Sequence, residues 1–350
     1  MRKSILSIVL MICSSPAFSQ NATTTLHVHD YLERFLEGSV DLEAARDGAA
    51  DALETFETAQ LNQQSAYTVG LLRSESIFKH AVLRSTENET VKLAFQRIFS
   101  SIASETSYRF AKTAEEIATA IFARSEELAK KEYISARDAL LARTVYMQSS
   151  TNTRNAKNAG AAALKNLIRP IEVDYTRLEI DPFALSVTMP RLPNSTWAVD
   201  HDATVIKHRT DLPLYRERRD FLKSSASFSP AEIEAIEQTI IQTERQLQLR
   251  IWTVVDTVEQ LQSQIDANGE AIAIAQINIE VETIDLRQAE HSYENGDIYA
   301  SDVTQAQLAL ATAGEQLKAL MRDRFLLVVE ALSLTNTSLL TWAVENLGEE

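Results

Sequence analysis

Glycine and proline are scarce in this chain. Its 350 residues include 8 glycines and 7 prolines, together about 4% of the chain against an average of about 12%. Because these residues form tight turns and end helices, the low count excludes folds made of many short strands. Neither residue occurs between Gly70 and Gly160, and the prolines cluster between Pro170 and Pro230. The sequence therefore predicts two long helical blocks separated by one irregular region.

Cysteine and long apolar runs are also rare. The single cysteine, Cys13, follows a basic N-terminus and a short apolar run, and Ala17-Phe18-Ser19 fits a secretory cleavage site. Residues 1–19 are therefore expected to be a signal peptide, which leaves an exported chain without cysteine. A lipoprotein signal at Cys13 is the alternative, but the isoleucine before it is not small. No later run approaches the about 18 apolar residues of a membrane-spanning helix.

Basic residues are outnumbered. The chain has 34 Lys and Arg against 49 Asp and Glu, a formal net charge of −15, which argues against a nucleic acid partner because phosphate binding needs clustered cations. No glycine-rich phosphate loop, nucleophile elbow or Cys–His pair is present, so we expect no enzyme and no cofactor. His27, His29 and Asp30 are metal-ligating residue types. Without a further His or Cys nearby they are interpreted as a solvated segment, and no metal site is expected.

The second half of the chain contains two heptad patterns. Apolar residues recur at spacings of 3 and 4 from Ile233 to Ile272, in a helix expected to start at Pro230. After a polar break at 294–297, a second such pattern runs over residues 303–334, interrupted at Arg324. Two heptad helices joined by a short turn predict an antiparallel helical hairpin.

The first half is less regular. Helices are expected at 41–64, 87–147 and 155–167. Residues 65–80 are ambiguous and leave room for one short strand, and Ser149–Asn152 is interpreted as a polar break. Residues 170–205 combine prolines with β-branched residues, which indicates an ordered connector, irregular or with short strands.

Two matches relate the halves to each other. Asp41-Leu42 corresponds to Asp211-Leu212, with both pairs interpreted as opening a helix. Tyr146 and Asn155 correspond to Tyr293 and Asp302, because nine residues separate the members of each pair. This self-similarity indicates an internal duplication.

The predicted fold class is therefore mainly all-α, with two tandem repeats of long antiparallel heptad helices that form a helical hairpin bundle. The expected organisation is a signal peptide (1–19), a first helical repeat (20–169), a connector (170–205), a second helical repeat (206–337) and a C-terminal tail (338–350).

Residues 285–335 resemble the last hairpin of the TolC family of outer-membrane efflux proteins. The resemblance lies in Tyr293-x-x-Gly296 at the tip, Asp302-Val303-x-x-Ala306 at the start of the return helix, and the Ala/Leu-rich helix that follows. It implies a trimer whose long helices form a periplasmic tunnel. It also implies that the helix tips form the entrance, contact an adaptor protein and work with an inner-membrane transporter.

The tip residues that the resemblance marks as entrance and adaptor contacts are Tyr293, Gly296, Asp302 and Gln305, together with Tyr146, Ser149 and Asn155 in the first repeat. Each also has a structural interpretation. Gly296 is suited to a left-handed C-cap, and Asp302 is favoured by the dipole at a helix N-terminus. Gln305 and Asn155 stand where an Asp is expected from the family pattern, which weakens the acidic constriction.

The chain departs from the family at its strand-forming segments. The interval 223–230 has eight residues, whereas two membrane strands need about 9–11 residues each. In the first repeat Arg73, Glu75 and Lys79 interrupt any lipid-facing alternation. The membrane strands of the family are therefore expected to be absent or vestigial, with the helical part retained.

Two functions are compatible with these features. One is a TolC-like exported subunit of a trimeric conduit for efflux or secretion, in the periplasm or at the outer membrane of a Gram-negative-type bacterium. The other is a periplasmic scaffold protein derived from the same fold, without a conduit. A periplasmic adaptor of the membrane-fusion type would need flanking β domains, for which this glycine-poor chain has no room.

Overall fold

The computed structural model describes residues 28–171, 194–224, 230–295, 300–334 and 337–347. Within these ranges the chain is almost entirely helical and contains no strand, which confirms the predicted fold class. The helices are α1 (Val28–Glu37), α2 (Val40–Leu61), α3 (Ala66–Lys130), α4 (Ala136–Ile168), α5 (Ser195–His201), α6 (Ala203–Ser224), α7 (Pro230–Glu294), α8 (Ala300–Leu334) and α9 (Leu339–Leu347). A 3₁₀ turn at Arg169–Ile171 follows α4.

The internal duplication is visible in helix lengths. Helices α2, α3 and α4 contain 22, 65 and 33 residues, and α6, α7 and α8 contain 22, 65 and 35. The starts of α3 and α7, and those of α4 and α8, are both offset by 164 residues. At about 1.5 Å per residue, each 65-residue helix is about 97 Å long.

The long helix of the first repeat differs from the prediction at both ends. Residues 66–80, where a short strand was left open, belong to α3, and α3 ends at Lys130 rather than near Met147. The expected polar break at Ser149–Asn152 lies inside α4. Short polar residues at such a position do not end a helix when their side chains bond the preceding turn, as Thr151 Oγ1 does by donating to the Met147 carbonyl at 2.9 Å.

Helix α6 begins earlier than the sequence pattern indicated. Asp202 caps it by accepting a hydrogen bond from the Val205 amide at 3.0 Å. Asp211 therefore lies in the middle of the helix and is buried, so its match to the helix-opening Asp41 is wrong. Within the expected connector 170–205, Pro170 and Ile171 belong to the 3₁₀ turn, and Ser195–His201 and residues 203–205 are helical. Residues 172–193 of that connector lie outside the described residues, as do the expected signal peptide and Gly296.

The helices form two compact units. Among the described residues, the tip unit consists of 96–171, 268–295 and 300–324 and contains the helix ends at both hairpin tips. The base unit consists of 28–95, 194–224, 230–267, 325–334 and 337–347. Most of the long helices run through both.

In the base unit, α8 lies between α3 and α7. Its Ala331 packs with Leu261 and Ile265 of α7, in the heptad pattern that the sequence predicted. On another side, its Phe325 meets Phe95 of α3 edge-on, with ring centroids 4.9 Å apart. Helix α8 is therefore apolar on two sides because it has two helical neighbours.

Helices α1 and α9 contact each other in the base unit. Residues 339–347, expected as a tail, form α9, which contacts α1. Asn88 of α3 fixes the start of α9. Its Nδ2 donates to the Thr337 carbonyl, and its Oδ1 accepts from the Leu339 amide, both at 3.0 Å.

Candidate functional site at the hairpin tips and outer helix faces

The tip of the first hairpin is a turn between α3 and α4. Glu132 has a φ of 60°, the left-handed conformation that usually falls to glycine. The Tyr133 amide donates to the Leu128 carbonyl at 2.9 Å, and the Glu132 amide donates to the Ala129 carbonyl at 3.0 Å. This pair of bonds is a Schellman motif. A glutamate therefore performs the helix-ending role for which the sequence analysis sought a glycine.

Helix α4 starts with a capping box. Ser135 Oγ accepts from the Asp138 amide at 3.2 Å, and the Asp138 carboxylate accepts from the Ser135 amide at 3.3 Å. The carboxylate also accepts from Ser135 Oγ at 2.7 Å. The sequence signal was present, because Ser-x-x-Asp before a helix is a variant of the capping-box pattern. It was overlooked because the region was assigned to one continuous helix.

The tip of the second hairpin lies between α7 and α8, as predicted. Tyr293 is in the last turn of α7 and is half exposed. Asp302 is in the first turn of α8, and Gln305 follows it at an exposed position. Apart from Gly296, the predicted residues of this repeat are therefore at or next to the tip.

The predicted tip residues of the first repeat lie elsewhere. Tyr146, Ser149 and Asn155 are ten or more residues inside α4, which begins at Ala136. At the structural offset of 164 residues, Asp302 corresponds to Asp138. The shared nine-residue separation was a coincidence of composition. Both return helices therefore begin with an aspartate at their third position.

Tyr146 belongs to the seam between α3 and α4. The Tyr146 ring stacks on Phe122 at 5.7 Å with an interplanar angle of 9°. Further along, Thr153 Oγ1 donates to the Ala111 carbonyl at 2.9 Å. Tyr146 and Thr153 thus join the two helices of the hairpin. Ser149 is half-buried on α4, and Asn155 is exposed there.

Helix α7 carries two apolar seams on different sides. Ile272, Ala275 and Ile279 are buried or half-buried and continue the heptad pattern that faces α8. A second set, also at spacings of 3 and 4, is exposed: Ile274 at 59%, Ile277 at 59%, Val281 at 48% and Ile284 at 52%. The sequence analysis missed this second set because it followed a single register. Regularly spaced exposed apolar residues mark an interaction surface.

Helix α4 also exposes apolar side chains in the tip unit. They are Leu140, Leu141, Val145 and Met147, each more than half exposed. They lie on the sides of α4 turned away from the seam with α3, in which Ala139, Ala142 and Tyr146 are half-buried. We call the exposed sets on α7 and α4 the α7 edge and the α4 edge.

A polar layer interrupts the α7–α8 seam. Asn268 Nδ2 donates to the Leu320 carbonyl at 3.1 Å. A guanidinium nitrogen of Arg324 lies 4.0 Å from where a Cβ on Gly269 would be. A Cβ there would make only an ordinary van der Waals contact with the arginine that breaks the heptad pattern. A single polar layer in an apolar seam fixes the register of the two helices.

A charged cluster joins α3 and α6 in the base unit. Lys207 contacts Glu75 at 2.5 Å and the buried Asp211 at 3.5 Å. Burial pushes the pKa of Lys207 down, but the hydrogen bond to Glu75 and the two carboxylate charges outweigh it and raise the pKa above its usual value. Burial lowers the pKa of the neighbouring His208. The cluster is an element of helix packing.

Two kinds of site are absent from the described part of the chain. No group of three or more His, Cys, Asp or Glu side chains is arranged to hold a metal ion there. Among the same residues, no helix has the length and apolarity needed to cross a bilayer.

The chain was compared with known proteins. No protein-family model and no curated protein sequence matches it. Solved structures do match. A crystal structure of CusC, from work on folding and transmembrane channel formation, has a TM-score of 0.65 at 12% identity and covers 92% of this chain and 96% of that one. The CmeC outer membrane channel of Campylobacter jejuni has a TM-score of 0.61 at 11% identity, with 96% and 92% covered.

A third similar structure is the open state of the MtrE outer membrane channel of Neisseria gonorrhoeae, with a TM-score of 0.54 at 11% identity and 89% of each chain covered. These proteins are TolC-family outer membrane channels. At such low identity the similarity concerns the fold, and it agrees with the tandem helical hairpins and their lengths. The chain therefore has a TolC-like fold.

Proposed function

We propose that the protein is an exported subunit of a trimeric conduit for efflux or secretion, which works in the cell envelope with a periplasmic adaptor and an inner-membrane transporter. The observation that carries the proposal is the pair of exposed apolar edges on α7 and α4 in a chain with a TolC-like fold. A subunit whose two edges differ and attract each other associates head to tail, and such association forms a ring when the rotation between successive copies closes.

The two edges overlap at one height above the tips. Val145 is nine residues from the start of α4, and Ile284 is ten residues from the end of α7. At about 1.5 Å per residue these positions are about 14 and 15 Å along their helices. The rest of the α7 edge lies farther from its tip, so the α7 edge of one copy can meet the α4 edge of the next copy at this level.

The two seams of α7 also set the curvature of the ring. Residues in a coiled coil turn by about 103° each, so the α8-facing seam and the α7 edge are about 154° apart on one side of the helix and about 206° on the other. In a regular ring of helices, the directions from each helix to its two neighbours form an angle. That angle is about 135° for eight helices and about 150° for twelve. With four long helices per copy, three copies is the smallest number that fits.

Cysteine cross-linking tests the proposal, because the chain has no cysteine after residue 13. The double variant Ile284→Cys/Val145→Cys is expected to form disulfides between copies on mild oxidation and to give a covalent ladder that ends at three. The control Glu280→Cys/Val145→Cys, with its α7 cysteine on another side of the helix, should not cross-link. A monomeric mass by light scattering, without cross-linking, would contradict the conduit and favour a scaffold.

A further inference from the structure

The unequal angles between the two seams of α7 give its remaining surface an inside and an outside. In a closed ring the smaller angle between a helix's two neighbours faces the centre. On α7 the smaller side, about 154° wide, holds only one position in each heptad. In the tip unit these positions are Ala271, Asn278, Asp285 and Ser292.

The sizes of the side chains support this assignment independently. The four residues of the narrow side are all small. The wide side holds two positions per heptad, and five of its eight residues between 269 and 294 are long. The long residues are Gln276, Glu280, Arg287, Glu290 and Glu294, and the other three are Gly269, Ala273 and Thr283. Small side chains fit the crowded inner side of a curved helical wall, and long ones have room outside.

We propose that Asn278, Asp285 and Ser292 of α7 line the inside of the assembly and form part of the wall that a transported solute contacts. This inference rests on the proposed function, because it needs a closed ring. It assigns a contact role to an amide, a short carboxylate and a hydroxyl, and it places the only cation among the α7 residues named above, Arg287, on the outside.

Reagents of different size test the inference. Single-cysteine variants are made at two inner positions, Asn278→Cys and Asp285→Cys, and at two outer positions, Glu280→Cys and Arg287→Cys. All four side chains are exposed in the single chain, so an isolated copy should react equally at each site. Each variant is treated, as purified assembly, with N-ethylmaleimide and with a 5-kDa polyethylene glycol maleimide.

In the closed assembly the small reagent is expected to modify all four sites. The large reagent should modify the outer cysteines at least tenfold faster than the inner ones, and this difference should vanish after unfolding in detergent. Equal or reversed rates on protein of trimeric mass would overturn the inference while leaving the conduit proposal intact. Equal rates on protein of monomeric mass would overturn both.

Discussion

Asn88 should hold the C-terminal helix to the rest of the chain. Its side chain is 4% exposed, and it makes two hydrogen bonds of 3.0 Å, to the Thr337 carbonyl and from the Leu339 amide. Substitution Asn88→Ala removes both bonds, each with a net value of about 1 kcal/mol, and leaves the buried Leu339 amide without a partner at a further cost of about 1 kcal/mol. The expected loss is about 3 kcal/mol.

Hydrogen exchange followed by mass spectrometry measures this loss locally. Because about 1.4 kcal/mol corresponds to a tenfold change in an equilibrium constant, peptides covering α9 should exchange roughly a hundredfold faster in the variant. Peptides from the middle of α7 should be unaffected. The exposed neighbour Glu89 provides a control on the same helix, and Glu89→Ala should change exchange by less than twofold. Unchanged protection of α9 in Asn88→Ala would refute the reasoning.

Three further changes test other features. Glu132→Gly should raise the free energy of unfolding by about 1 kcal/mol, because Glu132 has a left-handed φ of 60°; urea denaturation measures it. Lys207→Met should cost about 3 kcal/mol, since it leaves the buried Asp211 carboxylate without its cation. Burial lowers the pKa of His208, so the unfolded chain takes up a proton at a higher pH than the folded one. Stability should therefore fall as the pH drops below about 6.5, and His208→Gln should reduce that fall in thermal denaturation scans.

Controls are available for the first two changes. Glu126→Gly, at an exposed position inside α3, should cost about 1 kcal/mol where Glu132→Gly gains it. Lys112→Met removes an exposed ion pair and should change stability by less than about 0.5 kcal/mol. A loss in Glu132→Gly, a Lys207→Met variant as stable as Lys112→Met, or an unaltered pH profile in His208→Gln would each contradict the corresponding argument.

The sequence was most informative where the packing partner is a single helix with a regular seam. The heptad pattern from Ile233 to Ile272 was found because these residues lie on the side of α7 that packs against other helices, including α8. Regular apolar spacing in a sequence indicates such burial directly. The second tip was found because it contains the Asn-Gly pair Asn295-Gly296, which is a strong turn signal.

The first tip was hidden by the same scarcity of glycine that identified the helices. Two turns are made by non-glycine residues in left-handed conformation, Gln63 at φ 51° and Glu132 at φ 60°. Residues 65–80 were ambiguous because their packing depends on a tertiary partner, as at Gly70, where a Cβ would lie 2.9 Å from the Leu214 side chain. Local pattern does not contain such information.

The equal lengths of α3 and α7, at 65 residues each, restrict how this molecule can change in size. If a long helix gained one residue, every following side chain would rotate by about 100° around the helix axis. The apolar residues that face the partner helix would then become exposed. Insertions of seven residues preserve the seam, provided that the return helix gains seven as well. The hairpins are therefore expected to lengthen or shorten among relatives in steps of about 10 Å, and in both repeats together, because a step taken in one alone would leave its tip beyond the reach of the other.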